Sequence, residues 1–466
     1  MMKNKYQFFL ILSIGIAAIS CKKEQAVSSH FTGAEGEVKL ITIDPGHFHA
    51  ALVQKNMYKQ VSPEVYVYAP EGKDIDLHLQ RIDGFNTRSE NPTKWIENVY
   101  IGADYLTKMT VEKKGNVMVT AGNNSKKTEY IKAAVDAGIN VLSDKPMVIN
   151  SQNFELLKQA FDKAKENKVL LYDIMTERFE ITTQLQKEFS LLSEVFGTLE
   201  KGTIENPAVT KESIHHFSKY VVGEALQRPV WYFDVEQQGE GIVDVTTHLV
   251  DLVQWECFPD ISLDYTKDVD MLSARRWTTG LSKQQFKEVT STNEYPDYLK
   301  TNVRNDSLFV YANGEMNYTL KGVHAKVIVI WNYMAPKGTG DTHYSIMRGT
   351  KANLIIRQGA EQSYKPVLYI EPVGKDIVAF EKDLISNISK VQDKYPGIDL
   401  KKSDNGWEVI VPQKYHNGHE AHFGQVTERY LQYLIDGKLP DWEVPNMLTK
   451  YYTTTKALEV AKQNEK

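Results

Sequence analysis

Asn116-Val-Met-Val-Thr-Ala121, a helical pattern from Glu129 to Ala137 closed by Gly138, and Asn140-Val-Leu-Ser143 running into Asp144-Lys145-Pro146 form the stretch that decides the fold. Two short apolar runs flanking an amphipathic helix read as parallel strands joined by a crossover helix. The pattern extends in both directions. Upstream, Val38-Lys-Leu-Ile-Thr-Ile43 reads as a strand, broken at Asp44-Pro45-Gly46 and followed by a helical pattern through Ala50, Ala51, Leu52 and Val53. Glu64-Val-Tyr-Val-Tyr-Ala69 is another strand, stopped by Pro70 and Gly72. Downstream, Ser151 caps a helix running towards Lys165, and Val169-Leu-Leu-Tyr172 supplies a fifth strand. Strands alternating with helices predict a Rossmann-like parallel sheet covered on both faces. Ligands of such sheets sit at the carboxyl ends of the strands, where Asp44, Asn123, Lys145 and Asp173 fall.

The texture changes after about residue 175. A helix near Thr182–Leu192 precedes runs of β-branched and aromatic residues at 198–204, 308–311, 315–320, 325–331 and 353–357. Their period-two alternation predicts a largely antiparallel, open sheet. Helical stretches around 424–435 and 452–462 close the chain. The expected organisation is a Rossmann-like domain over 37–175 and a substrate-binding α/β domain over 176–466.

The first residues read as an address. Lys3 and Lys5 precede an apolar run from Phe8 to Ile19, as in a signal peptide over 1–20. Ala18-Ile19-Ser20-Cys21 resembles a bacterial lipobox, which implies lipidation of Cys21 and a polar linker over 21–36. The expected location is the periplasm or cell surface, touching the membrane through a lipid anchor only. Of the 466 residues 60 are acidic and 55 are Lys or Arg, a net charge of −5 that argues against a nucleic-acid partner. Cys21 and Cys257 are the only cysteines, so neither a disulfide framework nor a cysteine-rich zinc site is available.

Two motifs carry a family resemblance. Ala-Gly-Ile-Asn-Val-Leu-Ser-Asp-Lys-Pro, within 133–148, and Asp244-x-x-x-His248-x-x-Asp251 occur in the order and at the separation found in the Gfo/Idh/MocA oxidoreductases. The last half looks like the branch with the "putative oxidoreductase" C-terminal domain. The resemblance implies action on sugars or their glycosides with a nicotinamide cofactor, and puts Lys145, Asp244 and His248 at the reaction centre. It also implies a homo-oligomer formed through the open sheet. The chain departs from the family at the dinucleotide fingerprint, where glycines let the backbone approach a pyrophosphate. Here the stretch is Asp44-Pro45-Gly46-His47-Phe48-His49, with only the middle glycine in place. The residues expected to touch any NAD(P) are Gly46, His47, Asn123 and Asp144, and Glu71 and Asp74 are loose candidates for the ribose acid.

The remaining polar residues have structural and functional readings side by side. Asp244, His248 and Asp251 fall on one face if helical, where a carboxylate could orient an imidazole base. Arg178, just past the fifth strand, suits a substrate carboxylate or a neighbouring glutamate. His416-x-x-His419-Glu420-x-His422 suits packing, substrate contact or a metal, with a loop as plausible as a helix. The reading adopted gives substrate contact to Arg178, Asp251, His419 and His422, and expects no metal. His47 and His49 either line the same cleft or cap the turn.

These residues serve two reactions on a sugar or oligosaccharide. Redox-neutral elimination of dehydratase or lyase type is placed first, because the glycine turn is eroded and a lipoprotein would meet little free nicotinamide. NAD(P)-dependent dehydrogenation is the alternative. A carbohydrate-binding lipoprotein without catalysis is the third reading.

Overall fold

The structure, a computed structural model, describes residues 31–221 and 224–464; the expected signal peptide and lipidation site Cys21 lie outside the described residues. Six parallel strands, β1 (Leu40–Ile43), β2 (Glu64–Ala69), β3 (Ile96–Ile101), β4 (Val117–Thr120), β5 (Asn140–Asp144) and β6 (Leu171–Ile174), form one sheet in the order β3-β2-β1-β4-β5-β6. Strands β1, β4, β5 and β6 are buried along their whole length, since helices cover both faces. The order reverses between β1 and β4, which opens a crevice at their carboxyl ends.

A second, ten-stranded sheet follows. Its path runs Val269–Ser282, Ser307–Leu320, Val323–Met334, β7 (Val209–Ser218), Thr342–Arg348, Ala352–Arg357, Val367–Pro372, Gly406–Ile410 and Asp399–Ser403, with the tenth strand, Val303–Arg304, paired to Ser307–Leu320 off this path. All of these pairings are antiparallel except that of β7 with Val323–Met334. A mixed α/β architecture, a Rossmann-like sheet followed by a largely antiparallel one, is what the periodicities predicted.

Several local expectations need correction. The helix after β1 is a single turn, His49–Leu52. Strand β3 carried no signal because it is an edge strand with a mostly solvated, polar surface. The run at 198–204 makes only isolated bridges, Leu199 to Gly349 and Gly202 to Pro207. The expected linker over 21–36 is packed at its described end, where Phe31 is buried in the first core. The C-terminal helices also cross the expected domain division. His419–Asp436 packs Phe423, Val426, Tyr430, Leu431 and Leu434 into the first core. Glu443–Gln463 places Met447 and Tyr451 in the first core but Ala457, Leu458 and Ala461 in the second. These helices tie the two sheets together around the cleft between them.

Inside the second unit Lys211 of β7 is fully buried, its Nζ 2.6 Å from both carboxylate oxygens of Glu256 and 3.0 Å from Gln186 Oε1. A lone buried charge is far costlier than a paired one. Lys211→Met is therefore expected to lower unfolding stability by about 3–5 kcal/mol, read by denaturant titration. Lys211→Met combined with Glu256→Leu should recover most of that loss.

Candidate functional site

Lys145 follows the last residue of β5, so the sheet itself aims it into the crevice. Its Nζ lies 2.6 Å from Asp244 Oδ1, an ion pair that joins the first sheet to the second unit. Asp244 sits in a tight turn ahead of the helix Thr246–Cys257, and its second oxygen accepts from Gln238 Nε2 at 3.1 Å. That turn needs a glycine: a Cβ on Gly241 would stand 1.7 Å from the carbonyl oxygen of Ala312. His248, on the first turn of the helix, lines the same cavity as Lys145, a cleft of about 1340 Å³. Its Nδ1 has no hydrogen-bond partner among the described residues. Burial, and then the Lys145 ammonium, hold the imidazole well below the usual histidine range, so it is neutral at neutral pH.

The sequence motifs thus meet where they were expected to, with a different division of labour. Among the described residues no hydrogen bond joins Asp244 to His248; the carboxylate positions the lysine instead. Arg178 and Asp251 are withdrawn from the cleft. Arg178 Nε and Nη2 each donate to an Asp251 oxygen at 2.7 Å, and Nη1 donates to Glu443 at 2.8 Å. Lys450 completes this buried network, 2.9 Å from Asp251 and 2.7 Å from Asp173. One helical turn beyond His248 the side chain of Asp251 faces packing rather than ligand, so both residues hold the C-terminal helix in place. Asn123 is an N-cap, accepting from Ser125 N at 3.1 Å and donating to Gln237 at 2.8 Å. His419 and His422 do line the cleft, on a helix that starts at His419 after Gly418.

Other groups at the cleft were not singled out. Glu177 lines it, and burial, followed by the neighbouring Glu180, pushes its carboxyl up to about 7. Its place beside Arg178 just past β6 was the available signal. On the opposite wall Asp341 accepts from Lys219 at 2.6 Å and faces His215 Nδ1 at 3.0 Å and His216 Nδ1 at 3.1 Å. These residues are more than a hundred positions apart, and nothing local announces their meeting. His47 and His49 converge on Asp144, whose Oδ2 lies 3.9 Å from His47 Nδ1 and 3.0 Å from His49 Nδ1. Beneath them the buried Lys127 donates to the Asp144 carbonyl at 3.0 Å.

The turn after β1 does not fit a dinucleotide pyrophosphate. Its backbone N–H groups are already used, Gly46 N bonding Asp44 O at 2.8 Å and His47 N bonding Ala121 O at 3.1 Å. Trp231 covers Gly46: a Cβ there would meet the Trp231 ring at 2.9 Å and Asp74 Oδ2 at 3.0 Å. The indole donates to Asp74 at 2.7 Å, so the loose ribose-acid candidate is occupied. Asp44 is buried and accepts from Tyr130 at 2.7 Å. On the Gly46 and Asp74 side only about 10 Å³ is left, lined also by Arg81 and Arg228, while His47 and His49 face the large cleft. A one-turn helix offers little dipole to an anion.

Comparisons place the chain among known proteins. The family described as "putative oxidoreductase C terminal domain" matches residues 185–462. A crystal structure of a "putative oxidoreductase" from Parabacteroides merdae is 64% identical, with a TM-score of 0.92 over 93% of this chain and 100% of that one. A 3-ketoreductase from Actinomadura kijaniata, solved with NADP, is 14% identical, with a TM-score of 0.53 over 91% and 97% of the two chains. A levoglucosan dehydrogenase solved with NADH and L-sorbose is 10% identical, with a TM-score of 0.58 over 91% and 97%. Among curated proteins none matches the sequence. These relatives favour the dehydrogenase reading of the sequence over elimination.

The covered turn makes a prediction. Adding NADH or NADPH at about 1 mM should leave the thermal midpoint unmoved, because a ligand that binds only the folded state raises it. A saturable rise of several degrees would show that the turn opens for the cofactor.

Proposed function

Since the chain belongs to the Gfo/Idh/MocA oxidoreductases with this C-terminal domain, we propose that its cleft is the active site of a sugar-processing enzyme, and that this member of the family runs a redox-neutral elimination there. One observation carries the reading: the acid–base groups of the family site are assembled, while the turn that would take a pyrophosphate is closed by Trp231 and Asp74.

The substrate is a terminal sugar residue with a hydrogen α to a carboxylate or ketone. Neutral His248 takes that proton, and the electrons of the broken C–H bond pass into an enolate. The Lys145 ammonium, held by Asp244, stabilises the enolate charge in a poorly solvated site. The enolate collapses to a carbon–carbon double bond as the neighbouring C–O bond breaks with its electron pair on oxygen. Glu177, protonated up to about pH 7, returns a proton to that oxygen. Nothing is oxidised or reduced, and an alcohol or water leaves. A Cys21 lipid anchor outside the cytoplasm, which we also propose, suits a reaction that consumes no nicotinamide.

The second reading is NAD(P)-dependent oxidation of a sugar hydroxyl, favoured by family membership and by the dehydrogenase neighbours. The two separate on incubation with uronate-terminated or keto-sugar oligosaccharides. Elimination gives a rise in ultraviolet absorbance from the conjugated double bond without added cofactor; reduction of added NAD(P), with no such rise, would overturn it. Lys145→Ala and His248→Ala are each expected to lower the rate by about 10²–10⁴-fold.

The pH dependence has a definite sign. Glu177 is a carboxyl whose affinity for protons is raised, so its acid form is present below about pH 7 and lost as pH rises through that value. The elimination rate should fall over the same interval. In Glu177→Gln the rate should be low throughout and that descending limb absent, as read from a pH–rate profile.

A further inference from the structure

We propose that His47, His49 and Asp144 form a binding site for one divalent transition-metal ion, of zinc type, at the inner end of the cleft. Two imidazoles and a carboxylate are a donor set suited to such ions. Their ligand atoms all lie within 4.8 Å of one another. Metal–ligand bonds of about 2.0–2.1 Å place neighbouring donors roughly 3.0–3.4 Å apart. His49 Nδ1 and Asp144 Oδ2, at 3.0 Å, already meet that spacing. His47 Nδ1, at 3.9 Å from the same oxygen, accepts from His49 N at 3.3 Å, a bond it would give up as it closes on the ion by about half an ångström.

The trio is built from rigid elements. Asp144 ends β5, with Lys127 donating to its carbonyl from below at 3.0 Å. His47 and His49 lie two residues apart, spanning the end of the turn after β1 and the single helical turn that follows. The His49 ring packs on Phe423, with centroids 4.6 Å apart, and on His419 at 5.4 Å, which fixes its plane. The metal would replace the proton now shared by His49 and Asp144. Asp144 supplies one negative charge to the ion, and the adjacent Lys145 is held in its ion pair with Asp244. His47, His49, Asp144 and Lys145 all line the large cavity, so the remaining coordination positions face the space a sugar would fill.

Here the inference rests on the elimination reading: the open positions would take the carboxylate or ketone oxygen next to the carbon that loses its proton. The ion would then polarise that oxygen as a Lewis acid while Lys145 shares the developing charge. Substrate class follows from this geometry, namely sugars that offer a carbonyl-type oxygen as ligand.

The test uses the folded chain without substrate. Protein stripped with a chelator is titrated with Zn²⁺, and in parallel with Co²⁺, by calorimetry and by metal analysis after desalting. One equivalent per chain is expected, together with a zinc-dependent rise in thermal midpoint. His47→Ala and Asp144→Asn should each weaken binding at least tenfold, while His416→Ala, an exposed histidine outside the trio, should not. Should Asp144→Asn fail to fold, the less buried His47→Ala decides alone. Absence of saturable binding, or equal binding in His47→Ala, would overturn the site. Because occupancy is measured without a sugar, a failure of the elimination reading leaves this result standing, and the converse also holds.

Discussion

The ion pair between Lys145 and Asp244 is the constraint on which the rest of the molecule depends. One partner rides at the end of a buried parallel strand, the other on a turn pressed so closely against a second sheet that only glycine fits at position 241. Two cores built by different periodicities therefore meet at this 2.6 Å contact, beside the Asn123–Gln237 and Trp231–Asp74 hydrogen bonds. The C-terminal helix enforces the meeting by packing into both cores, with Arg178, Asp251, Glu443 and Lys450 neutralising one another beneath it. With Asp173, which also faces Lys450, the buried cluster holds two cations and three carboxylates, and it is tolerable because each charge is ion-paired.

That arrangement explains which parts of the site could be read in the sequence. Lys145, Asp244 and His248 sit at the ends of regular elements, where strand and helix periodicity fixes the direction of a side chain. The motif and the fold therefore agreed. Arg178 and Asp251 looked like ligand groups for the same local reasons, but their partners, Glu443 and Lys450, lie far along the chain on a helix whose packing periodicity does not reveal. Asp251 also shows the limit of a shared helical face: three residues further on from His248, the side chain has turned from cavity to core.

The turn after β1 is the most instructive departure. Set against the fingerprint of the family that the chain resembles, the missing glycines signalled a weakened phosphate site, and the structure gives the physical reasons. Backbone donors are consumed internally, an indole lies over the remaining glycine, and the helix that would supply a dipole lasts one turn. The same departure brings His47 and His49 over the end of β5, next to Asp144. Residues that spoil one cofactor's cradle create a different donor set in nearly the same place. No sequence window contains that set, since it draws on positions separated by nearly the whole first sheet. Glu177 is similar: its near-neutral acidity arises from burial at the cleft and from Glu180, not from any motif.

The central claim is that an ammonium and an imidazole from separate cores act on one sugar carbon in a cleft that holds no dinucleotide. A crystal structure of the protein soaked with a uronate-terminated oligosaccharide tests it most directly. The account predicts electron density for the terminal sugar with a ring carbon within contact of both Lys145 Nζ and the His248 ring, and Trp231 still seated on Gly46. A sugar bound elsewhere, or Trp231 displaced by a nicotinamide dinucleotide lying across the turn, would contradict it.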